Sequence, residues 1–199
     1  MKIELLAPTH SFSSNSYLIS SNGEYAVVDP SSRYDKEKIA GKLKYILLTH
    51  SHFDHILEIE EWERESGAEV VIFEGEASFL SDPAKNCYRF FDGSARGYFG
   101  PVRAAIDGEE FRLGDVEFKL MHLPGHTIGS SAYVFDECAF VGDTVFAGGG
   151  FGRWDLPSGD MLLLFDSINR VKELPDKLVL YCGHGESTTV GQYKLDTNR

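Results

Sequence analysis

The sequence predicts an α/β (α+β) chain in which two mixed β-sheets lie between helices. Three observations predict it. Strand-like runs occur in both halves of the chain, helix-periodic segments alternate with them, and the inner runs are apolar throughout, as strands covered on both faces must be. With 199 residues the chain suits one domain, 1–199. At that length, burial of roughly 70% of the extended-chain surface makes disulfide staples unnecessary.

The elements follow in order. Ile3-Glu4-Leu5-Leu6 opens a strand, and Ser16-Tyr17-Leu18-Ile19 is a stronger one. Asn22-Gly23 supplies turn chemistry between it and Tyr25-Ala26-Val27-Val28, which predicts a hairpin. Asp29-Pro30-Ser31-Ser32 ends that strand, and a short helix is expected over 35–42. Tyr45-Ile46-Leu47-Leu48 reads as a buried strand running straight into Thr49-His50. From Ile56 to Ser66 the period is helical, with Ile56, Ile59 and Trp62 on one face and Gly67 as the stop. Val70-Val71-Ile72-Phe73 is another buried strand, and residues 74–102, rich in glycine and aromatics, combine a short helix with loops. Strands follow over 110–112, 116–121, 132–135 and 139–141, then a helix over 161–172 and a strand over 178–181.

Composition narrows the function classes. The apolar share of 42% excludes a disordered chain. No apolar run approaches the roughly 20 residues needed to span a bilayer, and the N-terminus lacks a signal-peptide core, so a cytoplasmic, non-membrane protein is expected. A formal charge of −12 disfavours nucleic acid. Cys87, Cys138 and Cys182 are odd in number and share no CxxC spacing, against both a disulfide framework and a zinc knuckle.

Three of the seven histidines fall within six residues, in His50-Ser51-His52-Phe53-Asp54-His55. His50 and His52, two apart, can share a face, while Asp54 and His55 can turn toward a neighbouring point. Imidazole and carboxylate suit zinc and ferrous iron, and strand C-terminal ends are where α/β folds place sites. The pattern recurs at His126, in Leu123-Pro124-Gly125-His126-Thr127, at Asp143, in Val141-Gly142-Asp143-Thr144, and at His184, in Cys182-Gly183-His184-Gly185. Each has glycine immediately before it, which permits a sharp turn toward a crowded centre. The seven groups are enough for two metals if one carboxylate bridges.

These ordered motifs resemble the metallo-β-lactamase-fold hydrolases, specifically the glyoxalase II (hydroxyacylglutathione hydrolase) branch, over essentially the whole chain. The resemblance implies a four-layer αββα sandwich. It implies that His50, His52 and His126 hold one metal, that Asp54, His55 and His184 hold the second, and that Asp143 bridges. The expected cofactors are two divalent ions, zinc first, with iron or manganese as alternatives. The expected reaction is attack of a metal-held hydroxide on the carbonyl of a small-molecule thioester or ester, with Asp54 taking the proton of the bound water. No other general acid stands out, and a thioester needs none, because a thiolate leaves unprotonated. The runner-up is a persulfide dioxygenase using a single iron at His50, His126 and Asp143.

Departures from the family sharpen the expectation. Full-length glyoxalase II carries a C-terminal helical extension that supplies much of its glutathione-binding surface, whereas this chain ends about fifteen residues after His184. Ile56-Leu57 replaces a small or glycine-containing pair and is expected to narrow the second-metal side. In the loop from Phe146 to Asp160, Arg153 either meets a substrate carboxylate or pairs internally with Asp155 or Asp160. Cys182, His122 and His10 are expected to be non-ligands. The aromatics over 88–99 either wall a pocket, pack inside or make a subunit contact.

Overall fold

The computed structural model describes residues 1–198. The first sheet runs in chain order through β1 (Lys2–Leu5), β2 (Tyr17–Ser21), β3 (Glu24–Val28), β4 (Lys42–Leu47), β5 (Glu69–Phe73) and β6 (Arg103–Ala105). Its first three strands pair antiparallel, and β3 to β6 pair parallel. The second sheet is built from β7 (Glu110–Leu113), β8 (Val116–His122), β9 (Ser131–Val134) and β10 (Cys138–Gly142). A small hairpin of β11 (Val145–Phe146) and β12 (Gly150–Phe151) then intervenes. β13 (Val179–Cys182) and β14 (Thr188–Thr189) complete the sheet in the order β14-β13-β10-β9-β8-β7. Only β10 and β13 are parallel there, which brings their C-terminal ends side by side.

Alternation of side chains along the strands makes three cores and hence four layers. Along β4, Tyr45 and Leu47 point between the sheets, joining Phe111, Phe118, Leu120 and Phe140. Ile46 points outward and, with the following Leu48, packs under Ile59 and Trp62 of α1 (Ile59–Ser66). On the far side, Ala139 and Val141 of β10 meet Leu164, Ile168 and Val171 of a long helix, Met161–Lys172, and Tyr193 of a terminal one, Val190–Thr197. The apolar inner runs are therefore buried on both faces, as expected. No helix of the described residues is long and apolar enough to cross a membrane.

The Asn22-Gly23 turn has positive φ at both residues, 44° and 78°, the I′ geometry that matches strand twist. Gly67 caps α1 in the left-handed region at φ 63°. The helix expected over 35–42 is only a 3-10 turn, Lys36–Lys38. Ile39 is its sole apolar residue of helical spacing, so there is no face to bury, and β4 already pairs with β3 at Lys42. The helix expected from Ile56 begins at Ile59, because a 3-10 turn, Phe53–His55, carries the chain out of the site first. Ile56 and Leu57 lie in the core beneath α1 and do not line the cleft, so they do not narrow the second-metal side. The short helix expected within 74–102 is Tyr88–Phe91, preceded by a 3-10 segment, Glu74–Phe79.

Candidate metal centre

All seven candidate ligands meet at one end of the sandwich. His50, His52, Asp54 and His55 follow β4, His126 sits between β8 and β9, Asp143 follows β10 and His184 follows β13. Their ligand atoms form three overlapping groups, each within 4.8 Å: His50, His52 and His126; His50, His55 and Asp143; Asp54, His55 and His184. The first and last are the two sets that the family resemblance implies, and Asp143 stands between them. Its Oδ1 is 3.3 Å from Nε2 of His55, and its Oδ2 is 3.7 Å from Nε2 of His126 and 3.6 Å from Nε2 of His184. Asp54 Oδ2 lies 3.1 Å from Nε2 of His184 and 3.9 Å from Nε2 of His55.

Hydrogen bonds fix which nitrogen of three rings offers its lone pair. Nδ1 of His126 lies 2.7 Å from the Arg153 carbonyl oxygen, an acceptor, so Nδ1 carries the proton and Nε2, 2.9 Å from Nδ1 of His52, keeps its lone pair. His55 donates from Nδ1 to Oδ2 of Asp29 at 2.9 Å, which leaves its Nε2 bare. Thr49 donates its hydroxyl to Asp29 at 2.7 Å and so can accept only from Nδ1 of His50, at 3.1 Å. Nε2 of His50, Nε2 of His55 and Oδ1 of Asp143 are buried with no hydrogen-bond partner. Lone pairs aimed at one another and at a carboxylate repel unless a cation lies among them, and unpartnered buried polar atoms cost about 1–3 kcal/mol each. The donor set therefore fits a metal.

The electrostatics agree. Burial, reinforced by neighbouring imidazoles, holds His50 well below its usual value and His52 down at about 3; burial also lowers His126, against the pull of Asp143. These rings are neutral at neutral pH, as ligation requires. Burial would push Asp143 and Asp54 up, but His55, with His126 and His184 beside them, outweighs it and both carboxyls are lowered. His55 is the converse: burial opposes charge, yet Asp143, Asp29 and Asp54 raise it well above the ordinary histidine value. The position of His55 among three carboxylates thus calls for positive charge, a proton or an ion.

Glycine allows this crowding at two points in particular. A Cβ on Gly183 would sit 2.1 Å from Asp143 Oδ1, and one on Gly142, at φ 51°, would sit 2.5 Å from Thr49 Oγ1.

The other candidates are not among the converging ligands. The Cys182 thiol is pushed up by burial to about 12 and packs in the outer core. His122 stacks on Phe73 with ring centroids 3.9 Å apart and reaches the Ile128 carbonyl. His10 stacks on Phe12 and meets Glu58. Arg153 makes a bidentate pair with Asp155, at 2.7 and 2.8 Å, the internal pairing of the two alternatives open from the sequence. Of the aromatics over 88–99, Tyr88 and Tyr98 are core, Phe91 lines the cleft, and Phe90 and Phe99 are exposed.

Sequence reasoning missed four positioning groups. Asp29 braces His55 directly and His50 through Thr49, so one carboxylate and one hydroxyl orient a ring on each side of the centre. Its position after an apolar strand matches that of the ligands, which was the available signal. Asn15 donates to the carbonyls of Cys182 and Gly185, holding the His184 loop. Fully buried Glu76 accepts from the Ser51 backbone and hydroxyl and from Gly129 N–H, tying the His50–His52 segment to the His126 loop. Burial pushes the Glu76 carboxyl up, partly offset by hydrogen bonds from Ser51, Thr127 and Gly129. Glu76→Ala leaves three donors without an acceptor and is expected to cost about 3 kcal/mol. In thermal unfolding that is a midpoint roughly 10 °C lower; a drop under 2 °C would show that the clamp contributes little.

The centre opens into a cleft of about 510 Å³ lined by His52, Asp54, His126, Asp143 and His184 and by a set of apolar side chains.

Comparison with known proteins was made on the sequence and on the fold. The family description "Metallo-beta-lactamase superfamily" matches residues 11–184. The hydroxyacylglutathione hydrolase GloC of Haemophilus influenzae is 34% identical over 98% of this chain and 95% of its own. Among solved structures, the BLEG-1 B3 metallo-beta-lactamase superposes with a TM-score of 0.86 at 30% identity, over 96% of this chain and 95% of that one. A protein crystallised in a di-iron-bound form superposes at 0.80 with 28% identity, over 98% and 97%.

Proposed function

The chain belongs to the metallo-beta-lactamase superfamily, and from that premise we propose that it is a binuclear metal-dependent hydrolase of thioester or ester carbonyls, of the glyoxalase II kind. The observation that carries this reading is the convergence of bare imidazole nitrogens and ionised carboxylates whose tautomers are set in advance by Asp29, Thr49 and the Arg153 carbonyl. His50, His52 and His126 would hold one ion, Asp54, His55 and His184 the other, and Asp143 would serve both. Zinc suits this set of imidazoles and carboxylates, with iron or manganese as alternatives. When bound, such ions lower the pKa of a water they hold to about 7 and polarise a carbonyl oxygen.

The chain's own residues supply the rest. Asp54, lowered and facing the cleft, is ionised at neutral pH and can take the proton of attacking water. The Cys87 thiol in the cleft wall is pushed up by burial to about 11, with Asp54 adding to the effect, and it has no exposed surface from which to hand a proton to a leaving group. That favours substrates whose leaving group departs as an anion, thioesters above all.

The test is metal content of protein purified without added metal, measured with hydrolysis of a thioester and ester panel that includes S-D-lactoylglutathione. Two ions per chain with thioester turnover is the expected result. Failure of every ester and thioester with metal supplied would remove the reading. One iron per chain, with oxygen uptake on glutathione persulfide, would move the assignment to a dioxygenase.

A further inference from the structure

The cleft has a chemical character of its own beyond the seven ligands. One wall is a continuous aromatic surface drawn from three separate segments. Phe12, in the loop after β1, tilts against Phe53 at 5.7 Å, and Phe53 stacks on Phe91 of the short helix at 4.8 Å and 29°. Phe146 and Leu156 line it as well. Phe12 is 51% exposed and Phe91 56% exposed, although aromatic rings beside a closed site gain most by being covered. Among the described residues that line the cleft, Arg153 is the one permanent cation, and the Nε–Nη2 edge of its guanidinium is taken by Asp155. Recognition of a substrate bearing several carboxylates needs cations free to meet them. Here the lining offers apolar rings instead.

Resting on the hydrolytic reading above, we infer that the cleft selects thioesters or esters whose larger flanking group is uncharged and apolar, aromatic or branched aliphatic, over anionic peptide-thiol conjugates such as those of glutathione. The ring wall of Phe12, Phe53 and Phe91 is the subsite for that group.

The test holds intrinsic reactivity nearly constant. The D-lactoyl thioester of benzyl mercaptan and the methyl thioester of phenyllactate are compared with S-D-lactoylglutathione, all three esters of alkyl thiols, on the metal-loaded full chain. The expected result is a kcat/KM at least about tenfold higher for one of the two uncharged aryl substrates. Phe91→Ser should raise KM for that substrate about tenfold with a change in kcat below about threefold, the split expected when only uniform binding is lost. Asp155→Asn, which releases Arg153, should lower KM for S-D-lactoylglutathione about threefold or more. Preference for S-D-lactoylglutathione in the unaltered protein would overturn the inference and leave the hydrolase standing. An unchanged KM in Asp155→Asn would overturn the premise that Arg153 is withheld from anions. Turnover of none of the three would remove the hydrolytic reading, and the inference with it.

Discussion

Replacing Asp143 by Asn is expected to lower kcat/KM for thioester hydrolysis on the order of 10³-fold or more and to reduce bound metal to one ion per chain or fewer. Asn has the same shape, so the change removes charge and one acceptor oxygen while leaving volume alone. Asp143 is the carboxylate that faces His55, His126 and His184 at once, so it is the one placed to serve both proposed halves of the centre. An Asn amide placed nitrogen-first toward those rings would point hydrogens where an ion must sit. His52→Ala should be as damaging to turnover, since it removes a ligand from the buried side, yet both variants should unfold cooperatively like the parent. Metal content by mass spectrometry and initial rates check both; near-normal turnover in either would contradict the ligand set.

Stripping the metal with a chelator is the second large effect. The bare Nε2 atoms of His50 and His55 and Oδ1 of Asp143 are buried without partners, and without an ion His55 takes up a proton among its three carboxylates. An ion bound to the folded chain alone, supplied at about a thousand times its dissociation constant, stabilises by about 4 kcal/mol. For a chain of this size that corresponds to a thermal midpoint roughly 10 °C higher than in the stripped protein. Calorimetry with and without zinc reads it. Identical midpoints, with metal analysis verifying removal and reloading, would mean that the side chains converge for some other reason.

The seven candidate ligands were legible in the sequence because each belongs to a short local pattern, an apolar strand followed by glycine or threonine and a ligand-type residue. Their partition into two groups came from family resemblance, and the geometry is compatible with it. The groups that hold them were not legible. Asn15 finds its partners 167 and 170 residues away, and Glu76 reaches back 25 residues to Ser51 and forward 53 to Gly129. Such pairings are set by how the layers stack, and no local pattern announces them. Strands failed to show where they are very short, as in β6, β11, β12 and β14. The terminal helix Val190–Thr197 was missed because its apolar residues form no clear stripe and Gly191 interrupts it. The overread helix at 35–42 is the opposite error, in which composition allows a helix but nothing exists for it to pack on.

The parallel pairing of β10 with β13 also bears on the order in which the molecule can become competent. That pairing joins residues about forty apart across an intervening helix, and it brings the strand that leads to His184 alongside the one that leads to Asp143. Contacts that close long loops form late in folding. During synthesis the first sheet can assemble with His50 to His55 already in place, but competence arrives only when this last core strand inserts. Chains interrupted between the two strands would lack His184 and are expected to be inert, so activity reports completed folding more faithfully than helix or strand content does.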